Sequence, residues 1–107
     1  MQVSDVGSVK LAVIEGRLDT ETAPNVEGQL LALLGQAPVV LDMAGIRFVS
    51  SAGLRVLLKA AKAAKAAGTS FVLSGLQPAV QEVYDISGFT HIVAAHADRD
   101  AALAAIG

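Results

Sequence analysis

The stretch Val39-Val40-Leu41-Asp42-Met43-Ala44-Gly45-Ile46-Arg47-Phe48-Val49-Ser50-Ser51-Ala52-Gly53-Leu54-Arg55-Val56-Leu57-Leu58 decides the fold. Its first five residues are an apolar run with one acid near the end. Such a run, without alternation, marks a central strand buried on both faces. A short polar crossing follows, and two serines then open an amphipathic helix. That helix is expected over about residues 52–67. Leu54, Leu57, Leu58, Ala61 and Ala64 form its apolar stripe, and Gly68 stops it.

Upstream, residues 8–15 read as a strand, with an antiparallel partner around Gln2 to Val6. The turn Gly16-Arg17-Leu18-Asp19-Thr20 leads out of it. Thr20 or Thr22 suits the cap of the next helix and Pro24 its first turn. Val26, Leu30, Leu31 and Leu34 (or Leu33) recur at helical spacing until Gly35. Downstream, Thr69 to Leu73 is a further buried strand. Gln77 to Ile86 is a short helix with Val80, Val83 and Tyr84 inward. His91-Ile92-Val93 is a last short strand, and Asp98 to Ile106 a closing helix capped by Asp98. This alternation predicts one α/β domain over residues 1–107, with a mixed sheet of about four strands and about four helices. Right-handed crossovers leave either a single helical layer or a doubly wound sheet.

The chain has 107 residues, enough for one core. It holds no Trp, three Phe and one Tyr, which argues against a base-stacking platform. A net charge of −2 argues against an electrostatic nucleic-acid binder. The charge is uneven, however. No acid lies between Asp42 and Glu82, where Arg47, Arg55, Lys59, Lys62 and Lys65 sit. Cysteine is absent, the first residues do not resemble a secretory leader, and no apolar run is long enough to span a bilayer. A cytoplasmic protein that does not insert into the membrane is expected.

Ser50 and Ser51 are the first candidate site. A serine at a helix start caps it by accepting from an orphan N–H. The same position also tolerates a phosphate, because the helix dipole favours the added negative charge. Gly53 leaves room for close approach by another backbone. A catalytic serine would need a nearby base, and His91 and His96 lie on or after the last strand. Asp19 and Asp42 stand at expected strand exits. Two acids without a His or Cys cluster make a poor metal site, so no metal is expected. Arg55, Lys59 and Lys62 share one helix face, either as a solvated stripe or as a docking face for an acidic partner.

Three of these places together resemble the STAS domain of bacterial anti-sigma factor antagonists. They are Gly16-Arg17-Leu18-Asp19, the segment Val40 to Val49, and Ser50-Ser51-Ala52-Gly53-Leu54-Arg55-Val56-Leu57-Leu58. The resemblance implies a non-enzymatic regulator that works by partner switching. Its partners would be a serine-kinase anti-sigma factor of the histidine-kinase-like ATPase type and a PP2C-type phosphatase. ATP and Mg²⁺ would belong to the kinase, and the domain itself would carry no cofactor. Against the family pattern Asp-Ser-Ser-Gly-Leu, Ser50 replaces the acid and Ala52 the second hydroxyl residue. Ser51 is then the expected phosphoacceptor, with Ser50 in reserve. By the same resemblance Asp19 positions Ser51 or contacts the kinase, and Asp42 holds the loop. The expected partner surface is the loop from Ile46 to Leu54, the second helix face with Arg55 and Lys59, and the Gly16 to Thr20 turn, with Asp19, Asp42, Ser50, Ser51, Gly53, Leu54, Arg55 and Lys59 as its named residues. The alternative is an unphosphorylated scaffold, or a cytoplasmic subunit of a lipid-transport ABC system.

Overall fold

The computed structural model describes residues 1–106. One sheet takes its five strands in chain order: β1 (Gln2–Val6), β2 (Val9–Leu18), β3 (Val39–Val49), β4 (Phe71–Ser74) and β5 (Ala95–His96). β1 runs antiparallel to β2, and every later pair is parallel. The helices are α1 (Ala23–Leu34), α2 (Ser51–Ala67), α3 (Pro78–Ile86) and α4 (Arg99–Ile106). The expected antiparallel partner at Gln2 to Val6 is β1, which brings the sheet to five strands.

Strands β2 to β5 add in order and in one direction. Each right-handed crossover therefore repeats the same path, and α1, α2 and α3 share one face of the sheet. Their inward residues, among them Val26, Leu30, Val56, Leu57, Ala60 and Val80, pack on Ala12, Leu41, Met43 and Leu73. α4 follows the last strand and covers the other face. There Ala102, with Leu103 and Ile106 beside it, meets Val9, Leu11, Val40 and Val72. Neither expected layer pattern holds alone, since the split is three helices to one. The buried stripe of α2 is Gly53, Val56, Leu57, Ala60 and Ala64, with Leu54, Leu58 and Ala61 at its margin. In α3, Val80 and Tyr84 point inward while Val83 is exposed.

The expected strand at His91-Ile92-Val93 is absent. Phe89–His91 is a 3₁₀ turn, and β5 begins at Ala95. Phe89 and Val93 turn into the core, and the Tyr84 hydroxyl donates to the Val93 carbonyl. That bond ties the segment to α3 instead of to the sheet.

The central strand is longer than expected. β3 continues through Ala44 to Val49, where a polar crossing was read. Two register shifts against β2 explain the misreading. Val13 opposes Asp42 while Glu15 opposes Gly45, and Gly16 opposes Ile46 while Arg17 opposes Phe48. Each shift puts one extra residue into β3, so the period-two pattern breaks twice. Ile46 and Val49 still reach the core under the helices.

Candidate functional site

The extended ends of β2 and β3 deliver two turns to one place, the start of α2. The Ser50 amide donates to the Leu18 carbonyl at 3.0 Å, pinning the start of α2 to the end of β2. Ser50 has extended backbone, and its hydroxyl accepts from the Gly53 amide at 3.3 Å. Ser50 is therefore the helix cap. Ser51 is the first helical residue and is exposed. Among the described residues its hydroxyl takes part in no side-chain hydrogen bond to protein. Of the two serines, Ser50 takes the capping role.

Gly53 explains why the turn is so tight. A Cβ there would lie 2.5 Å from the Leu18 carbonyl oxygen and 2.9 Å from both Leu18 Cγ and Val49 Cγ1. The backbone that approaches is the chain's own.

Asp19 organises the neighbouring turn. Its Oδ1 accepts from the amides of Glu21 at 3.0 Å and Thr22 at 3.2 Å. Thr22 Oγ1 accepts from the Asp19 amide at 3.0 Å and donates to the Arg17 carbonyl at 2.8 Å. Thr22, one of the two proposed caps, stands at the N-cap position of α1, but its side chain serves this turn and not the helix amides. The Thr22 backbone amide, aided by that of Glu21 and by the Arg17 charge, holds the Asp19 carboxyl below its ordinary value. Arg17 Nε lies 3.1 Å from Asp19 Oδ2, and its guanidinium carbon sits 4.9 Å from the centre of the Phe48 ring. Sequence reasoning included Phe48 in the loop from Ile46 to Leu54 but gave it no role of its own. The available signal was a rare aromatic in a polar stretch: it is 46% exposed.

The remaining candidates scatter. Asp42 is corrected from a strand-exit acid holding the loop to an interior residue of β3 on the face toward α4. It is 5% exposed, and its Oδ2 accepts from Arg99 Nη2 at 2.6 Å and Nε at 3.0 Å. Its other oxygen accepts from the Ala44 amide at 3.0 Å. It anchors α4 to the bulged strand. Lys59 Nζ lies 3.1 Å from Glu27 Oε1, bridging α2 to α1. Arg55 is exposed, and among the described residues it forms no ion pair. Leu54 is half-buried at an apolar cleft between α2 and α3, lined also by Leu76, Val80 and Val83. The topology sets His91 at the other end of the sheet from Ser51, where Ile92 lies beside Thr69 and Phe71. Among the described residues no cluster of His, Asp and Glu could hold a metal, and no helix is long and apolar enough to cross a membrane.

Residues 1–102 match the family model of the STAS domain. The chain belongs to the STAS-domain family. A curated relative from Bordetella bronchiseptica, BtrV, whose assignment as an anti-sigma factor antagonist is itself provisional, is 36% identical over 98% of this chain and 92% of its own. A solved anti-sigma factor antagonist from Mycobacterium paratuberculosis is 27% identical, with a TM-score of 0.86 over 98% of this chain and 91% of its own. The Bacillus cell-fate determinant SpoIIAA in its phosphorylated form shares the fold at 16% identity, with a TM-score of 0.76 over 99% of this chain and 98% of its own. This STAS domain keeps the family architecture and opens α2 with Ser50 as cap and Ser51 as first helical residue, ahead of Ala52-Gly53-Leu54.

Proposed function

We propose that this STAS domain is an anti-sigma factor antagonist that works by partner switching, with Ser51 as the phosphoacceptor. The observation that supports the reading is the difference between the two serines: Ser50 spends its hydroxyl on the Gly53 amide, while Ser51 is exposed and, among the described residues, its hydroxyl has no side-chain hydrogen bond. A kinase needs an accessible hydroxyl whose modification leaves the fold intact, and Ser51 meets both needs. The relationship to BtrV supplies the class of partner. In this reading the unmodified protein binds a serine-kinase anti-sigma factor in the cytoplasm and releases that factor's client. Phosphorylation adds nearly two negative charges in the middle of the contact and dissolves it, and a PP2C-type phosphatase restores it.

The surface would centre on Ser51, with Asp19, Arg17 and Phe48 on one side and Leu54 and Arg55 on the other. The test compares Ser51→Ala and Ser51→Asp for binding to the histidine-kinase-like ATPase that the native protein retains. Loss with Asp and retention with Ala supports the switch. Equal binding by both variants overturns it and returns Ser51 to a structural role, as in an unphosphorylated scaffold or transporter subunit.

A further inference from the structure

The geometry points to Arg55 as the intramolecular partner of a phosphate on Ser51, so that modification withdraws a cation as well as adding negative charge. This inference rests on the proposed phosphorylation of Ser51. Ser51 and Arg55 are one helical turn apart in α2, and both are exposed. Residues at i and i+4 lie about 6 Å apart on one helix face. Long helical side chains lean toward the N-terminus, so a residue covers the turn before its own Cα. Arg55 thus reaches back over the turn that begins at Ser51.

Among the described residues, Arg55 is the cation without an ion pair that lies one helical turn from Ser51. Arg17 is engaged by Asp19 at 3.1 Å and stacked at 4.9 Å on Phe48. Lys59 is engaged by Glu27 at 3.1 Å. Arg47 is exposed but sits on the bulged end of β3, before the cap. Asp19 and Glu21 on the β2–α1 turn and Glu82 on α3 are the acids of the adjoining elements, and they would repel the phosphate. Before modification, Arg55 is exposed and among the described residues pairs with no acid, ready for a carboxylate on a partner. Afterwards it folds onto the phosphate in a charge-assisted contact of the kind guanidinium groups make. One covalent event then makes two changes at the same edge of the surface.

The test installs phosphoserine at position 51 during translation, so it needs no kinase and succeeds or fails independently of whether cells modify Ser51. The second ionisation of the phosphate is followed by ³¹P NMR against pH in the otherwise native protein and in Arg55→Gln and Arg47→Gln. The native protein should ionise about half a pH unit lower than Arg55→Gln at low salt. That gap should close in molar salt, where screening shortens to about 3 Å. Circular dichroism confirms that the variants fold, as expected for exposed sites. Identical titrations with and without Arg55, or a shift carried by Arg47→Gln instead, would overturn the assignment.

Discussion

Alanine at Gly53 and at Gly28 should shift stability in opposite directions. Both glycines are helical, and in isolation the change favours the helix by up to about 1 kcal/mol. At Gly28, exposed in α1, an added Cβ meets nothing within 4 Å. The full benefit of about 0.5–1 kcal/mol should appear there. At Gly53 the Cβ would stand 2.5 Å from the Leu18 carbonyl oxygen. That oxygen cannot swing away cheaply, because it accepts the Ser50 amide at 3.0 Å and Leu18 is paired with Val49 in the sheet. Relief requires α2 to lift by most of an ångström. Overpacking of this kind costs about 1–3 kcal/mol, and the weakened Ser50 bond adds about 1 kcal/mol. After subtracting the helix gain, Gly53→Ala should destabilise by about 2 kcal/mol. For a domain of this size that lowers Tm by roughly 10 °C, whereas Gly28→Ala should raise it by a few degrees. Far-UV circular dichroism during heating and urea titration measures both, in a chain without tryptophan. If Gly53→Ala stabilises as Gly28→Ala does, the start of α2 is not wedged against β2, and the rigid placement of Ser51 fails with it.

Ser50→Ala removes the cap of α2 and should cost about 0.5–1 kcal/mol, while Ser51→Ala should stay within about 0.5 kcal/mol of the native protein. Urea midpoints of the two variants decide between these roles, and equal losses would contradict the division. Arg99→Gln strands a carboxylate 5% exposed with the Ala44 amide as its remaining donor. Arg99 itself is half-exposed, so the loss should be about 2 kcal/mol, less than a fully buried pair would give. Adding Asp42→Asn should recover part of that loss in a double-mutant cycle. Asp19 titrates lower in the folded chain than its ordinary value of 3.8. Its contribution to stability is therefore complete above that value and fades as pH falls through the lower, folded one. Asp19→Asn should lose stability near neutrality and show a shallower decline below about pH 4 in acid-unfolding curves.

Much of the architecture was legible because local signals agreed with each other. The unbroken run Val39 to Met43, Pro24 and Pro78 in first turns, Gly68 past the end of α2 and Asp98 capping α4 are each local. What escaped was set by pairing between distant segments. The two bulges of β3 exist only relative to β2, so Ala44 to Phe48 looked like a crossing. Asp42 looked like a strand-end acid because its partner, Arg99, lies 57 residues away. Val93 looked like a strand residue because the hydroxyl that claims its carbonyl belongs to Tyr84. At the site, the helix-start chemistry singled out the pair of serines and the family resemblance favoured Ser51, but assigning the cap needed the Gly53 amide. The Arg17–Phe48 stack needed the shifted register, which sets those two residues opposite each other.

The most direct test of the central claim is phosphosite mass spectrometry on the protein purified from its native cells under two growth conditions. The account predicts a single phosphate on Ser51 whose occupancy changes with condition, and an unmodified Ser50. A protein that stays unmodified in both conditions, or carries its phosphate on Ser50, would contradict it.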